Sequence, residues 1–591
     1  MTIIKSSGPS VGTYPDDKDL YTFIFEHWPS YRFDPRTKSL PLLIDEPTGQ
    51  SWTFEQCRDR VDHLAAGLRD QLGVRRDTVV CIFSPNSVDY LIAILALHKL
   101  GAVASCANPA YNASELSYQI DASKSTAIFL GEEALKVGGE AAEKAKMRKD
   151  HVVIMQTPRT TQGKGALKGG AKREGEAWYL EGLVAEGRDS KELHKGRVTL
   201  KPGEARKKLA FLSFSSGTTG LPKGVMIQHY APLSNIQQFA SFNGMISGKG
   251  TRFLPGRDVS LGGLPFYHIY GLVVGLLWTF YSGITNVVLP RFSGIEPMIK
   301  TTLKYGITLW WLVPPQVVLL VKDPKAKPYL PQLAKQVRFL MIGAAPLSDD
   351  VSKQLDKALP GVDWGQGYGM TESCTVLSMH PPGIKPVYGS AGRLVSDVEA
   401  QVVSPEGKVQ PVGELGELWA RGPSVTLGYL NNQKATDEMW VKEGGWLRTG
   451  DEVKFNEKGD MFILDRLKEL IKVKGFQVAP AELEGWLLNH EDVADAGVIG
   501  LPDDMSGEIP VAFVALSQTA KERVAKDGSG EEGKIKEGLM RFVADNKIRY
   551  KHLGAVHIID AIPKNPSGKL LRRELREQAK KLPAPPKSSR L

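Results

Sequence analysis

Ten residues, Ser215-Ser216-Gly217-Thr218-Thr219-Gly220-Leu221-Pro222-Lys223-Gly224, constrain this chain more than any other segment. A β-rich run over 209–214 leads into them, which sets the loop at the carboxyl end of a strand. Glycines let the backbone turn tightly and aim N–H groups at an anion, hydroxyls add donors, and Lys223 adds charge. A Walker A loop ends in Gly-Lys-Ser/Thr. Here Gly224 follows Lys223, so the loop is of another kind. The plainer alternative, a polar Gly/Ser linker, does not set Pro222-Lys223 between two strands. The segment reads as a phosphate-holding loop of an α/β protein.

The surrounding periodicity agrees. Residues 53–71 form an amphipathic helical pattern with Phe54, Val61, Leu64 and Leu68 on one face. A β-branched strand follows over 78–83, then a helix over 88–100 ended by Gly101. Strand, helix and strand in succession predict a parallel sheet covered on both faces. The pattern runs to about residue 420. Short strands at 416–420 and 460–465 follow, before a smaller mixed segment from 469 to 581. A chain of 591 residues exceeds one ordinary core, so two or more domains are expected.

The formal net charge of +9 invites a nucleic-acid reading, which the charge distribution removes. From 159 to 208 there are 13 Lys+Arg against 7 Asp+Glu, and from 564 to 591 there are 9 against 2. The rest of the chain carries −4. The first stretch, rich in Gly and Lys, reads as a solvated insertion loop. No zinc-finger or RNA-recognition signature accompanies it. Cys57, Cys81, Cys106 and Cys374 are too scattered for a metal site and read as buried thiols of a reducing compartment. The first residues lack an apolar core of signal-peptide length. Residues 269–290 carry no charge, but Ser282-Gly283 splits them into a buried helix and a buried strand over 285–289, not a membrane span.

Four further segments complete the pattern. They are Gly365-Gln366-Gly367-Tyr368-Gly369-Met370-Thr371-Glu372-Ser373, then Gly445-Trp446-Leu447-Arg448-Thr449-Gly450-Asp451. Next come Asp465-Arg466-Leu467-Lys468-Glu469-Leu470-Ile471-Lys472-Val473-Lys474-Gly475-Phe476-Gln477 and Pro563-Lys564-Asn565-Pro566-Ser567-Gly568-Lys569. With Ser215–Gly224 these resemble, in order, the signatures of the adenylate-forming superfamily, which includes 4-coumarate–CoA ligases, acyl-CoA synthetases and beetle luciferases. The resemblance covers about residues 40–580. It implies an α/β fold with a large N-terminal domain (1–467) of parallel-rich sheets flanked by helices plus a β-subdomain. A small α+β domain (468–581) on a hinge and a tail (582–591) complete it.

The resemblance also implies roles. Ser215, Ser216, Gly217, Thr218, Thr219 and Lys223 would hold the ATP phosphates. Gln366, Gly367 and Tyr368 would form the strand against which adenine lies, with Thr371 at the α-phosphate. Glu372 matches the carboxylate for Mg2+. Asp451 would accept the ribose hydroxyls, and Arg466 would reach ribose or phosphate. Taken alone, Asp451 could be an ordinary turn aspartate and Lys569 a surface lysine; their places in the motifs decide for function.

Lys569 would span the α-phosphate and the incoming carboxylate. Lys468, at the edge of the adenylate pocket, matches the hinge. Rotation about it would withdraw Lys569 and bring in Lys472 and Gln477, with Lys474 and Gly475 lining the CoA channel. Arg291 falls where relatives carry a lysine for the CoA nucleotide. His268 matches a histidine beside the acyl carboxylate, although a lone His between aromatics is more often structural. Tyr267, Tyr270, Gly343, Ala344, Gly367 and Met379 would line an acyl pocket fit for a flat aryl or cinnamic acid or a medium-length chain.

The expected activity is therefore AMP-forming acyl-CoA ligation from ATP, CoA and a carboxylic acid. A peptide-synthetase adenylation domain would need a carrier domain after Lys569, and a luciferase-type oxygenase a specialised pocket. A scaffold without turnover would not need Lys223, Glu372, Asp451, Lys472 and Lys569 together. Ser589-Arg590-Leu591 is a conservative variant of the Ser-Lys-Leu peroxisomal address, behind an extended proline-rich stretch at 583–586. An import receptor is the expected partner and the peroxisome the expected location, with the cytosol as the alternative.

Overall fold

The computed structural model describes residues 2–155, 177–215, 222–474, 476–503, 506–564 and 568–582. Among these, four sheets carry the architecture. The helix expected over 53–71 is Phe54–Leu72. Thr53 and Gln56 close a capping box at its start, and left-handed Gly73 ends it. Val88–Lys99 is buried on every face because it packs between strands of two different sheets, Pro41–Asp45 and Val103–Ala107. This explains its continuous apolar sequence.

The first sheet runs in the order Lys223–Gln228, Leu209–Ser215, Val103–Ala107, Val79–Phe83, Ala127–Gly131, Val152–Met155, Trp178–Tyr179. Its strands are parallel except Lys223–Gln228, which returns antiparallel against Leu209–Ser215. The second sheet has nine strands, of which six run parallel, from Asp363–Met370 to Pro41–Asp45, with antiparallel strands beyond each. An antiparallel sheet between residues 399 and 466 forms the third layer. The fourth sheet gathers Ile471–Val473, Phe476–Val478, Val493–Asp503, Gly507–Leu516 and Ala555–Ile558 around a separate apolar core.

The uncharged stretch 269–290 lies in the core. It forms the π-helix Gly271–Trp278, runs on as Thr279–Tyr281, turns at Gly283 and enters the strand Thr285–Val288. Every residue from 271 to 281 is buried. Among the described residues, no helix is long and apolar enough to cross a membrane. All four cysteines are buried and free.

The structure corrects one expectation. Residues 156–176 lie outside the described residues, but 177–208 are not a solvated loop. Trp178–Tyr179 extends the first sheet, and the helix Leu180–Arg188 packs on Phe54–Leu72. The helices meet at glycines because a side chain would not fit. A Cβ on Gly67 would stand 2.0 Å from the Leu183 carbonyl oxygen, and one on Gly187 1.7 Å from that of His63. Leu180, Leu183 and Val184 form an i, i+3, i+4 apolar stripe whose burial outweighs the flanking charges. Lys208 is itself buried, with its Nζ 2.8 Å from Asp77 Oδ1.

Candidate active site

The phosphate loop leaves the first sheet at Ser215 and returns at Lys223, and strand register puts these two residues opposite each other. Ser216, Gly217, Thr218 and Thr219 lie outside the described residues. The Lys223 ammonium stands 5.1 Å from the centroid of the Tyr429 ring, within cation–π range.

The second sheet supplies the facing wall. Asp363–Met370 runs into the turn Thr371–Ser373, which presents Thr371 half-buried and Glu372 buried. The Tyr368 hydroxyl donates to Asp451 Oδ2 at 2.5 Å. Arg466 Nε donates to the other oxygen, Oδ1, at 3.2 Å. Asp451 and Arg466 are cross-strand partners, so the third sheet fixes both. Asp451 is 5% exposed and keeps lone pairs for two more donors. The Gln366 side chain is already occupied: it accepts from the Leu347 N–H at 2.7 Å and donates to the Ser390 carbonyl at 3.2 Å. It braces two loops.

Lys569 approaches this wall from the C-terminal segment. Its pKa falls to about 8, first through burial and second through the Arg466 guanidinium, while Glu469, Asp451 and Glu372 pull the other way. His268 lies near enough to feel its charge. Packing around the imidazole lowers its pKa to about 4, and the Lys569 ammonium is the second cause. His268 Nδ1 accepts from the Tyr270 N–H at 3.3 Å, which fixes the ring orientation.

Below His268 lies the expected acyl wall. The Tyr270 hydroxyl donates to the Met341 carbonyl at 3.0 Å, so this ring is pinned. A Cβ on Gly343 would lie 3.3 Å from both the Tyr270 ring and the Gly367 carbonyl. Gly367 pairs with buried Met379 across the sheet. Tyr267 is half-buried beside the core. Ala344 is exposed at a left-handed turn (φ 72°), so Gly343 makes the closer approach to Tyr270.

A second set stands apart. Lys472 and Gln477 pair across the hairpin of Ile471–Val473 and Phe476–Val478, with exposed side chains. Lys474 is exposed in the left-handed turn (φ 50°), and Gly475 lies outside the described residues. Lys468 is exposed just past the third sheet. Arg291 is exposed and pairs with Glu133 at 3.0 Å. The structure thus brings Lys569 together with His268, Glu372, Asp451 and Arg466, and leaves Lys472 and Gln477 facing solvent.

Two neighbours escaped the sequence reading. Tyr429 donates to Glu372 Oε1 at 2.6 Å, and Met341 brings its methyl to 2.3 Å from where a Gly367 Cβ would sit. Gly428-Tyr429 lies in a turn-rich stretch with no signal linking it to Glu372, whereas Met341 sits two residues before Gly343. Among the described residues, no group of three or more His, Cys, Asp or Glu could hold a metal. Glu372 alone suits Mg2+, which binds through one or two carboxylates plus phosphates and water.

Comparison with known proteins agrees with this geometry. A family profile described as "AMP-binding enzyme" matches residues 33–430, and one described as "AMP-binding enzyme C-terminal domain" matches 482–569. The chain belongs to the AMP-binding enzyme family. It is 36% identical over 585 residues to 4-coumarate–CoA ligase 5 of Oryza sativa subsp. japonica, covering 97% of each chain. Identity to 4-coumarate–CoA ligase 3 of Arabidopsis thaliana is 34% over 580 residues, covering 97% of this chain and 93% of that one. An anthranilate CoA ligase solved with anthranoyl-AMP shares the fold at a TM-score of 0.76 and 22% identity, over 96% of this chain and 98% of that one. A benzoate CoA ligase from Burkholderia xenovorans does so at 0.74 and 22%, over 95% and 100%.

The lowered Lys569 pKa sets a pH dependence. The group is an ammonium below about 8 and loses its proton as pH rises through that value. In the free enzyme, kcat/KM for ATP in adenylate formation should therefore fall on the alkaline side near pH 8. Lys569→Arg, charged throughout this range, should be slower but lack that limb. Identical alkaline limbs in both proteins would assign the titration to another group.

Proposed function

We propose that the protein activates a carboxylic acid with ATP and passes the acyl group to coenzyme A. The observation that carries this reading is the meeting of Lys569 with His268, Glu372, Asp451 and Arg466 at one wall. In the first step a carboxylate oxygen attacks the α-phosphorus and the bond to pyrophosphate breaks. Lys569 offsets the charge of both reacting oxyanions, and Lys223 receives the departing phosphates. Asp451 accepts the ribose hydroxyls, Thr371 meets the α-phosphate, and neutral His268 orients the carboxylate. Mg2+ held at Glu372 would supply further charge compensation on the phosphates.

In the second step the CoA sulfur attacks the acyl carbon and AMP leaves. Lys569 has no part in it. Rotation about Lys468 would exchange Lys569 for the hairpin carrying Lys472 and Gln477, with Lys474 and Gly475 beside the pantetheine arm. Arg291 would bind the CoA nucleotide from the surface of the large domain. The relatives' names, 4-coumarate, anthranilate and benzoate CoA ligases, favour a planar aryl or cinnamic acid, with medium-length aliphatic acids second.

Gly343→Ala tests the substrate class. Its Cβ would press on a Tyr270 ring that cannot easily yield, because the hydroxyl is tied to Met341. Overpacking of this kind costs about 1–3 kcal/mol. Efficiency with cinnamic and benzoic acids should fall roughly ten- to two-hundredfold, and acetate should be nearly unaffected. The measurement is acid-dependent pyrophosphate release and thioester formation across graded acids. Wild-type preference for short acids, or a uniform loss in the variant, would end the aryl assignment.

Peroxisomal delivery is a second part of the proposal and rests on Ser589-Arg590-Leu591, outside the described residues. Deleting the tripeptide should move a fluorescently tagged protein to the cytosol with activity in vitro intact. Retention in peroxisomes would place the address elsewhere.

A further inference from the structure

The segment 424–430 joins the two halves of the phosphate site. It pairs with the strand that Lys223 opens: Leu427 N–H donates to the Met226 carbonyl, Met226 N–H to that of Gly428, and Leu430 N–H to that of Gly224. It also grips the Glu372 turn, since the Thr426 N–H and Oγ1 both donate to the Glu372 carbonyl, at 3.0 and 2.9 Å. Tyr429 stands between. It is 6% exposed, its backbone N–H is held by Thr436 Oγ1 at 2.9 Å, and Trp440 packs edge-on against its ring at 5.2 Å. Its hydroxyl donates to Glu372 Oε1 at 2.6 Å and also meets Met439 Sδ at 2.9 Å, while its ring faces the Lys223 ammonium at 5.1 Å.

A lone carboxylate on a short turn has free rotamers, and each wrong rotamer lowers its affinity for a cation. A buried phenol that cannot itself move removes that freedom. We propose that Tyr429 is a positioning residue for the metal–nucleotide complex, committing one Glu372 oxygen so that the other faces the phosphates. The same ring faces the Lys223 ammonium at 5.1 Å, so one side chain stands between the carboxylate and the ammonium. Partners that orient a metal ligand typically contribute about ten- to a hundredfold in affinity or activity. The inference rests on the proposed use of ATP with Mg2+ at Glu372.

Tyr429→Phe keeps the ring and its packing and removes only the hydroxyl. Nucleotide binding is measured by titration calorimetry, with ATP plus excess Mg2+ and with ATP in excess EDTA. The variant should bind the Mg2+ form about tenfold more weakly and the metal-free form within about twofold of wild type. In a Glu372→Gln background the same substitution should add little, because the carboxylate it orients is gone. Equal weakening of both nucleotide forms, additive effects in the double variant, or unchanged Mg2+-dependent binding would each overturn the role. Failure of the wild type to bind ATP would instead sink the ligase reading itself, and this inference with it.

Discussion

The arrangement depends on one electrostatic constraint, the half-burial of the Lys569 ammonium beside groups from other parts of the chain. Removing an ammonium from water is costly unless opposite charge lies close by. Glu469, Asp451 and Glu372 provide it, while Arg466 and burial oppose it, and the lowered pKa records the balance. Contacts farther out hold the C-terminal segment where that balance is met. Asn489 Nδ2 donates to Asp350 Oδ2 at 2.5 Å, Lys322 donates to the Leu488 carbonyl, and Gly568 lies against Val313.

The residues flanking Lys468 are tied down on both sides. Asp451 and Arg466 pair before it, and Arg572 grips Glu469 and Glu484 after it, at 2.5 and 2.8 Å. Asp465 also reaches across, accepting the Ala481 N–H at the start of the helix Pro480–Leu487. Exposed Lys468 lies between these two segments, spanned by the bonds that the Glu469 and Leu470 N–H groups donate to the Arg466 carbonyl. Lys472, Lys474, Phe476 and Gln477 are exposed together on one hairpin, the surface that the proposed rotation would bring to the adenylate.

Much of this was legible in the sequence because the superfamily's signatures are contiguous. Glu372, Asp451 and Arg466 each sit inside a short motif, and local strand pairing carries them into place. What sequence missed depends on long-range contact. Tyr429 reaches Glu372 across 57 positions, and nothing in its own neighbourhood announces that bond. The helix Leu180–Arg188 had a local signal, the Leu180, Leu183, Val184 stripe, which the surrounding Lys and Gly residues obscured. The helical part of 269–290 was expected, but not its π register, which is stabilised by Thr279 Oγ1 and Asn286 Nδ2 donating to the Gly275 carbonyl.

The central claim is that Lys569 serves the first half-reaction and is absent from the second. The direct measurement compares wild type and Lys569→Ala in two assays, acyl-adenylate formation from ATP and acid, and thioester formation from synthetic acyl-adenylate and CoA. Loss of a preorganised charge should slow the first by about a hundred- to a thousandfold and leave the second nearly unchanged. Equal losses in both assays would contradict a site in which Lys569 and the Lys472 hairpin take turns.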